Sequence, residues 1–548
     1  MRIFIAFLLG TALLSNWPES GEAAQLPTLP QAFIDTTYSP TSGNTIVVNA
    51  GGNLQTAINN AVPGDTIVLQ AGATFTGPFT LPNKAGSGWI YIRSSAYTSL
   101  PPPGTRVSIA DATNMPKIVG TAAGGTAIQT NPQAHNYRFV GIEIRPAAGQ
   151  FLYSLVAIGS GETSLANLPH DITFDRCYVH GDPSAGGRRG IAMNGNAIAV
   201  IDSYVADFKE HGSDSQALAS WNSGGPFKIV NNYLEAAGEN VIFGGTDPSI
   251  TNLLPSDIEI RRNHFFKPLA WITENSPNLW DVKNLLEFKN AQRVLVEGNI
   301  LENNWAAAQS GFAFLITPRN QQNTAPWSGT QDITFRLNKM LNVDQGINIL
   351  GRDNEGGVSQ IADRILIENN LIVLQAVAGG DHKIFQFINA AALSGAGPNN
   401  LTVRHNTGII IPTGINTATA ASGMAGVKAD QFDFRDNMLS NGLYGFIGTG
   451  TGSAIQTLTA FFTNYTFIDN AIIGGTAGYP PINFFPSNNA AVGFVNFAGG
   501  DYTLTLGSPF RNAATDGKDV GADMAAIAAA ISGAVSPILP APKNLRVQ

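Results

Sequence analysis

The stretch Ile229-Val230-Asn231-Asn232-Tyr233-Leu234 decides the fold of this chain, because its pattern returns at regular intervals. A short β-like run precedes the second asparagine, and an apolar or aromatic pair follows it. The same position recurs at steps of 31 to 39 residues, at Asn263, Asn299, Asn338, Asn370, Asn406, Asn437 and Asn470. Two earlier copies place Ser203 and Cys177 there. A repeat of this length that carries a strand signature predicts a stack of coils.

The recurring asparagine predicts a ladder of side chains inside the stack. Stacked coils lie about 4.8 Å apart, so successive amides can hydrogen-bond along a column. Such a column satisfies backbone groups that would be costly to bury unpaired. The alternative is that asparagine is simply a frequent turn residue. The flanking apolar pattern, which stays in register, favours the ladder.

The two ends of the repeat region carry different patterns. Leu54, Ile58 and Ala61 fall on one helical face, and Pro63-Gly64-Asp65 ends the helix, between strands predicted at 45–48 and 66–69. An amphipathic helix here predicts a cap over the open end of the stack. At the other end, an alanine-rich run at 524–531 predicts a short closing helix. We therefore expect one β-helix domain over 45–535, with a closing segment from about residue 500.

The termini indicate export. Arg2 and the short apolar run 3–14 read as a secretory signal with a cleavage site near Ala23. That run is too short to cross a bilayer. We expect residues 1–23 to be a signal peptide, 24–44 a leader, and 536–548 a proline-rich linker or tail. The mature protein is then secreted or periplasmic, without a membrane span.

Bulk properties narrow the function. The formal net charge of −8 argues against a nucleic-acid-binding protein, which needs a basic face. Cys177 is the only cysteine, so an intramolecular disulfide is excluded. Stability must come from the stack itself, and we expect a monomer.

The chain resembles the pectin-lyase-like superfamily of secreted right-handed parallel β-helix proteins. Three features carry the resemblance: the capping segment 54–67, the asparagine ladder, and a closing segment with Gly507-Ser508-Pro509 followed by Asp516-Gly517. The resemblance implies an all-β fold, a right-handed parallel β-helix (solenoid) with an N-terminal capping helix. It also implies a polysaccharide partner, in most members an acidic one that is cleaved by elimination or hydrolysis. Function, however, resides in sites placed on folds.

One segment is similar to the alginate- and chondroitin-lyase branch of that superfamily. It runs from Asn232 to Glu239 and contains Gly238-Glu239. In that branch a glutamate in this context helps to hold Ca²⁺, and a lysine follows in the same coil. Glu239 matches, but no lysine follows before Arg261. The catalytic Lys/Arg pair of the branch is therefore not recovered, and the signatures of pectate lyases and polygalacturonases are absent too.

Charged residues recur where four successive strand-like runs end. These residues are Asp247, Lys289, Arg319 and Arg352. Elimination on a uronate needs a base and a positive charge that stabilises the anion. We hypothesise that Lys289 and Arg319 act on the substrate carboxylate and that Arg352 binds substrate. Glu239 and Asp247 are candidate ligands of Ca²⁺. The alternative is that these charges lie at solvated strand ends.

A second group of candidates lies one coil earlier. His211 could act as a base near neutral pH, with Glu210 and Asp214 beside it and Arg188-Arg189 a coil before. A histidine in a turn can equally be a hydrogen-bonding surface residue. Trp221 and Trp305 fall near the loops, where aromatic faces stack on sugar rings. Their alternative role is packing beneath a loop.

The sequence thus predicts an exported β-helix protein that binds and cleaves polysaccharide, in the manner of a lyase on acidic glycans. Two alternatives stay open: a glycoside hydrolase, and a non-catalytic cell-surface or adhesion scaffold.

Overall fold

The computed structural model describes residues 24–39, 41–375, 377, 380–389, 396–411, 416–424, 426–476 and 478–534. The predicted signal peptide and the proline-rich tail lie outside these ranges. Each coil contributes one strand to each of three long parallel sheets. Within the described residues these sheets have fourteen, thirteen and twelve strands, and the chain visits them in that order in every complete coil.

The fourteen-stranded sheet is built from the strands that precede the asparagine positions. In order along the stack they are Thr45–Val48, Thr66–Leu69, Ile90–Ser94, His135–Val140, His170–Asp175, Asn196–Ile201, Phe227–Val230, Ser256–Arg261, Ala291–Glu297, Thr330–Arg336, Asp363–Glu368, Asn399–Arg404, Ala429–Arg435 and Phe462–Ile468.

The thirteen-stranded sheet is built from the strands that follow the asparagines. Its strands are Thr74–Thr76, Lys117–Gly120, Glu143–Pro146, Tyr178–His180, Tyr204–Phe208, Tyr233–Ala236, His264–Phe266, Ile300–Asn304, Lys339–Val343, Leu371–Leu374, Thr407–Ile410, Met438–Ser440 and Ala471–Ile473.

The twelve-stranded sheet completes each coil. Its strands are Phe79–Leu81, Ile128–Thr130, Val156–Ile158, Arg189–Met193, Gln216–Ser220, Glu239–Phe243, Asn284–Phe288, Phe312–Ile316, Gln345–Leu350, Lys383–Asn389, Thr417–Gly423 and Phe446–Gly448. All pairings in the three sheets are parallel, which confirms the predicted right-handed parallel β-helix.

Short helices decorate this frame. The α-helices are Leu54–Asn60, Ile455–Phe461, Asn489–Val492 and Met524–Ala530, and the 3-10 helices are Tyr97–Ser99, Ile109–Asn114, Leu165–Asn167, Leu269–Ile272 and Phe497–Gly499. Helix Leu54–Asn60 is the predicted N-terminal cap: the Asn53 side chain accepts from the Thr56 amide at its start, and Leu54 and Ile58 are buried against the first coils. No helix among the described residues is long and apolar enough to cross a membrane.

The asparagine ladder exists and is buried. In each rung the Oδ1 atom accepts from both the backbone amide and the side-chain amide of the preceding asparagine, at 2.9 and 3.0 Å between Asn232 and Asn263. The Nδ2 atom of Asn232 also donates to the Val200 carbonyl. The ladder begins with Ser203, whose hydroxyl accepts from the Cys177 amide, and it ends at Asn483. Asn483 follows Asn470 by only 13 residues, so the spacing of the earlier copies did not predict it.

The C-terminal segment turns back along the outside of the coils. Helix Met524–Ala530 forms where a closing helix was expected, but it lies beside the solenoid, where the Ala530 carbonyl approaches the glycine at 298 closely. Beyond it, the Ala534 carbonyl accepts from the buried Arg106 guanidinium at 2.7 Å. The segment packs on the outer face of the thirteen-stranded sheet, where Phe510 and Tyr502 join a cluster with Ile409.

The N-terminal residues 24–39 also run along the outside, across the fourteen-stranded sheet. Their contacts fall in sequence from the strand of Asn400 at one end to the strand of Tyr91 at the other. Among the described residues, no hydrogen bond joins either terminal segment to a strand of the twelve-stranded sheet. The edges of that sheet are instead bordered by several long loops, including 268–283 before it and 246–255 and 317–329 after it.

Candidate functional site

A row of polar side chains crosses the twelve-stranded sheet where its strands begin. Register places Arg189 beside Gln216, Gln216 beside Glu239, and Glu239 beside Asn284, each at the start of its strand. Adjacent parallel strands lie about 4.8 Å apart. Four coils therefore bring a cation, two amides and a carboxylate into one line, which we call the polar row.

Glu239 is the most unusual member of the polar row. It is fully buried, and its Oε2 accepts from Gln216 Nε2 at 2.8 Å. Its other oxygen, Oε1, makes no hydrogen bond with any described residue. Burial raises the pKa of this carboxyl to about 7, helped by the negative charges of Asp214 and Glu287 and opposed by Lys283. A carboxyl with this pKa can both take up and release a proton near neutral pH.

Lys283 reaches this carboxylate from the next coil. Its Nζ lies 4.0 Å from Glu239 Oε1 and forms a close ion pair with Asp214. Burial lowers the lysine pKa, but the neighbouring Glu239 and Asp214 outweigh it, so the net shift is upward. Lys283 is therefore a firmly charged cation rather than a base.

Loop 268–283 places Lys283 over the short turn that precedes Glu239. Only Ala237 and Gly238 connect strands Tyr233–Ala236 and Glu239–Phe243. The longer loop of the next coil folds back over this short turn, and the Lys283 amide donates to the Ala237 carbonyl at 3.1 Å. Asp281 similarly donates its amide to the Glu210 carbonyl. The loop thus joins three coils around the polar row.

Lys267 fixes the same turn from inside the protein. It is fully buried, and its Nζ donates to the carbonyls of Ala236, Ala237 and Gly238 at 2.6, 2.8 and 2.9 Å. A fourth bond, 3.1 Å long, reaches Asn240 Oδ1. Burial lowers the pKa of this ammonium to about 7. Its four partners lie immediately before and after Glu239, so Lys267 positions that carboxylate through the backbone.

Arg189 lies at the other end of the polar row. Its guanidinium stacks over the Trp221 ring, 5.0 Å from the centroid, and makes no ion pair with any described residue. The neighbouring Arg188, by contrast, forms a two-bond pair with Glu210 at 2.6 and 2.7 Å. Arg189 is half-buried. A half-buried guanidinium that lies over an indole and has no ion-pair partner among the described residues suits an anionic ligand.

The predicted cation Lys289 lies near the far end of its strand. Its Nζ is 3.7 Å from Oε1 of Glu287, which also accepts from the Thr317 hydroxyl at 2.8 Å. The other Glu287 oxygen accepts from Asn284 Nδ2 at 3.2 Å. Glu287 thereby connects Lys289 to the polar row.

The remaining strand-end charges belong to a different network. Asp247 accepts from the amides of Gln322 and Thr324 and holds loop 317–329, while Arg319 pairs with Asp353 at 2.9 Å. Arg352 is half-buried beside Asp353. Asp247 follows strand Glu239–Phe243, whereas Glu239 begins it, so the structure does not bring these two predicted metal ligands together.

The predicted tryptophans and histidine also differ in whether they lie at the polar row. Trp221 lies at the site under Arg189, but Trp305 is only 3% exposed and packs with Trp271 and Trp280. This burial matches the packing alternative for Trp305. His211 stacks on Trp280 with ring centroids 3.8 Å apart, and its Nδ1 lies 2.8 Å from the Leu279 carbonyl. That contact requires a proton on Nδ1 and leaves Nε2 as the basic nitrogen.

Four residues of the site were not predicted: Gln216, Lys267, Lys283 and Asn284. The charged residues predicted from the sequence lie where strands end, whereas Gln216 and Asn284 begin theirs. Lys267 and Lys283 flank a loop that sequence alone could not fold back over the preceding coil.

Three buried oxygen atoms of the polar row have no hydrogen-bond donor among the described residues. Gln216 Oε1, Glu239 Oε1 and Asn284 Oδ1 are buried, and none makes a hydrogen bond with a described residue. Carboxylate and amide oxygens are the ligands that Ca²⁺ prefers. No group of three or more His, Cys, Asp or Glu side chains in the described part of the chain is arranged to hold a metal ion. A cation here would therefore use amide oxygens alongside one carboxylate.

Comparison with known proteins gives structural neighbours only. No family model and no curated protein matches the chain. The chain is similar to an alginate lyase from Paenibacillus sp. str. FPU-7, at 14% identity over 77% of this chain and 99% of that one, with a TM-score of 0.30. Pectate lyase Pel9A matches at 14% identity over 88% and 96%, with a TM-score of 0.33.

A third neighbour is the catalytic unit of a thermostable α-1,3-glucanase from Streptomyces thermodiastaticus. It is 12% identical over 83% of this chain and 72% of that one, with a TM-score of 0.47. All three TM-scores are below 0.5, so the fold rests on the strand order and register of this chain. The chemistry of the site rests on its own residues.

Proposed function

We propose that this protein binds an acidic polysaccharide on the twelve-stranded sheet and cleaves it by elimination. The observation that carries the proposal is the polar row, in which the unpaired Arg189 guanidinium lies on Trp221 and in line with Glu239. A guanidinium binds a carboxylate through two parallel hydrogen bonds. An indole beside it offers an apolar face to a sugar ring.

Elimination divides the chemistry between a cation and a base. Arg189, Lys283 and Lys289 are the cations near the polar row, and they would stabilise the anion formed when the proton next to the carboxylate leaves. His211 is the base in this proposal: its Nε2 takes the proton next to the carboxylate, while Nδ1 is engaged by the Leu279 carbonyl. The freed electron pair forms the new C=C bond as the bond to the glycosidic oxygen breaks, and that oxygen takes a proton from water. Arg319 lies in the separate network with Asp353, and its role on substrate stays a prediction.

A Ca²⁺ requirement forms part of the proposal. Glu239 would hold the ion together with Gln216 and Asn284, whose buried oxygens lack partners. Bound there, Ca²⁺ would add positive charge beside a substrate carboxylate. Asp247 is too far along the strand to share an ion with Glu239 and stays a separate prediction.

The test is incubation with a panel of uronate polymers, with and without Ca²⁺. The readouts are absorbance of unsaturated products and the appearance of new reducing ends. We expect both signals, and we expect Arg189→Ala to abolish or strongly reduce them. Arg93→Ala is the matched control, because Arg93 also stacks on an aromatic ring, 4.0 Å from the Tyr97 centroid, but belongs to the fourteen-stranded sheet.

Other outcomes separate the alternatives. New reducing ends without unsaturated products would identify a glycoside hydrolase, for which the raised pKa of Glu239 supplies an acid. Silence in both assays across the panel would contradict an enzyme and favour a scaffold. Equal losses in the Arg189 and Arg93 variants would show that the polar row is not the site.

A further inference from the structure

Residues 25–31 contact the fourteen-stranded sheet through backbone amides at every third position. The Gln25, Thr28 and Gln31 amides donate to Asn400 Oδ1, Asp332 Oδ1 and Asp257 Oδ1 at 2.9, 3.0 and 2.8 Å. The three acceptors lie on every second strand of that sheet. Three residues of the segment therefore advance by two coils.

This ratio matches the geometry of a polyproline II helix. That helix has three residues per turn and rises about 3.1 Å per residue, so one turn covers about 9.3 Å. Two coils occupy about 9.6 Å. A β-strand would have a nearly equal rise, but its two-residue period would turn the Thr28 amide away from the sheet. Only a three-residue period presents all three amides to the same side.

The sequence of the segment has the same period. Gln25-Leu26-Pro27 is followed by Thr28-Leu29-Pro30, so a proline precedes each of the next two bonding amides. Proline fixes φ near the polyproline II value and holds the residue before it extended. Pro30 is buried, while Leu26 and Leu29 are 52% and 39% exposed. Pro30 thus faces the sheet and the two leucines face outward.

The sheet presents its acceptors in a matching pattern. Asp257, Asp332 and Asn400 adopt left-handed backbone with φ of 60°, 54° and 47°, which aspartate and asparagine tolerate well. On the coils between them stand Arg293 and Arg364. Arg293 binds Asp257 through two bonds of 2.7 and 2.8 Å, and Arg364 binds Asp332 in the same way. These ion pairs hold two of the three acceptors, Asp257 and Asp332, in place.

We propose that this face of the solenoid is a binding site for an extended, proline-containing peptide segment. In the bound segment, one turn of polyproline II helix spans two coils. Its occupant is residues 25–31 of the same chain. Further contacts continue along one path toward the first strand: Lys228 Nζ donates to the Ile34 carbonyl, Arg138 to that of Thr36, and the Tyr91 hydroxyl to that of Ser39. This continuity makes the chain's own segment the occupant.

Hydrogen exchange of the full-length protein, read on peptides covering residues 24–39, tests the proposal. Thr28→Pro keeps the polyproline II conformation but removes the central donor. We expect it to accelerate exchange of the Gln25 and Gln31 amides about tenfold, the effect of losing one charge-assisted hydrogen bond. Leu29→Pro is the matched control, since it adds the same ring at an amide that bonds to no described residue, and it should leave exchange unchanged.

Two results would overturn the proposal. Equal acceleration by Thr28→Pro and Leu29→Pro would show that the three-residue register has no role. Protection that rises with protein concentration would show that the segment binds to another copy rather than to its own solenoid. Protection that is independent of concentration and lost only in Thr28→Pro supports the site and its occupant together.

Discussion

Lys283 Nζ lies 4.0 Å from Glu239 Oε1, although the two residues belong to different coils. The coil of Glu239 carries no lysine after the glutamate, and the next coil supplies one through a loop that folds back over a short turn. In a solenoid, register between neighbouring coils can therefore assemble a charge pair that no single repeat contains. The polar row is likewise formed by several coils together.

The buried carboxyl of Glu239 should make stability depend on pH. Its pKa is raised from 4.5 to about 7, so the folded chain binds the proton more tightly than the unfolded chain does. The free energy of unfolding should then fall as pH rises through this window, by on the order of 3 kcal/mol. Glu239→Gln should reduce this fall and leave the part that comes from Glu235, whose pKa burial also raises to about 7. Urea unfolding without Ca²⁺ at several pH values measures it, with the exposed Glu355→Gln as a control that should follow the wild type.

If the polar row binds Ca²⁺, the ion should offset the loss of stability that the ionised Glu239 carboxylate causes at high pH. We expect added Ca²⁺ to raise the melting temperature of the wild type at pH 8, because an ion that binds only the folded state stabilises it by mass action. Glu239→Gln should lose this effect, whereas Asp247→Asn should retain it. Thermal unfolding with Ca²⁺ and with a chelator measures both. Identical responses of all three proteins would argue against an ion at Glu239.

The Lys283 and Asp214 pair should be energetically coupled. Lys283 is mostly buried and interacts with both Asp214 and Glu239. A double-mutant cycle of Lys283→Met and Asp214→Asn should give a coupling energy of about 1–2 kcal/mol. The Lys518 and Asp516 pair is the control: its ammonium side is 76% exposed, so its coupling should stay below about 0.5 kcal/mol. Comparable values for the two pairs would contradict a desolvated site.

Lys267 should be indispensable for the turn before Glu239. Lys267→Met fills a similar volume but removes the ammonium from the carbonyls of Ala236, Ala237 and Gly238. The last two keep a backbone donor each, the amides of Lys283 and Asn284. Buried groups left unpaired cost about 1–3 kcal/mol each. We expect a loss of about 1–3 kcal/mol in chemical unfolding and a weakened Ca²⁺ response. A loss smaller than about 1 kcal/mol would mean that water or a small cation replaces the ammonium.

Interior rungs of the asparagine ladder should matter more than surface asparagines. Asn338 accepts from Asn299 and donates to Asn370 and to the Val296 carbonyl. Asn338→Ala leaves several of these buried groups unpaired and should cost about 2–4 kcal/mol. Asn83 is exposed, and Asn83→Ala should change stability by less than about 0.5 kcal/mol. Equal effects would show that the ladder adds little to the stack.

The fold was predictable from the sequence because its signals are local and repeated. The asparagine position, its preceding strand and the helix from Leu54 each follow from short-range patterns. One copy escaped because Asn483 closes the ladder after an unusually short interval. The period of three in residues 25–31 was not predicted, because its meaning depends on the coil spacing beneath it.

The site was only partly predictable because it depends on contacts between coils. Glu239 was found from its glycine-preceded motif, and Arg189 from its place a coil before His211. Lys283 escaped because its position is set by how far a loop folds back. Trp305 and Trp221 look alike in sequence, but one is buried under that loop and the other carries a guanidinium. The two tryptophans differ in burial, and burial depends on contacts with distant parts of the chain that the neighbouring sequence does not show.

The docked N-terminal segment limits how this solenoid can change length during evolution. A coil duplicated or deleted beneath residues 25–31 would displace every acceptor beyond it by half a turn of the segment above. The hydrogen bonds between the segment and the sheet can be kept only if coils are added or lost in pairs. Each pair of coils must then come with three added or lost residues in the N-terminal segment. Related proteins with more or fewer coils in this region should therefore also have a longer or shorter N-terminal segment. The number of Leu-Pro units should change by one for each pair of coils.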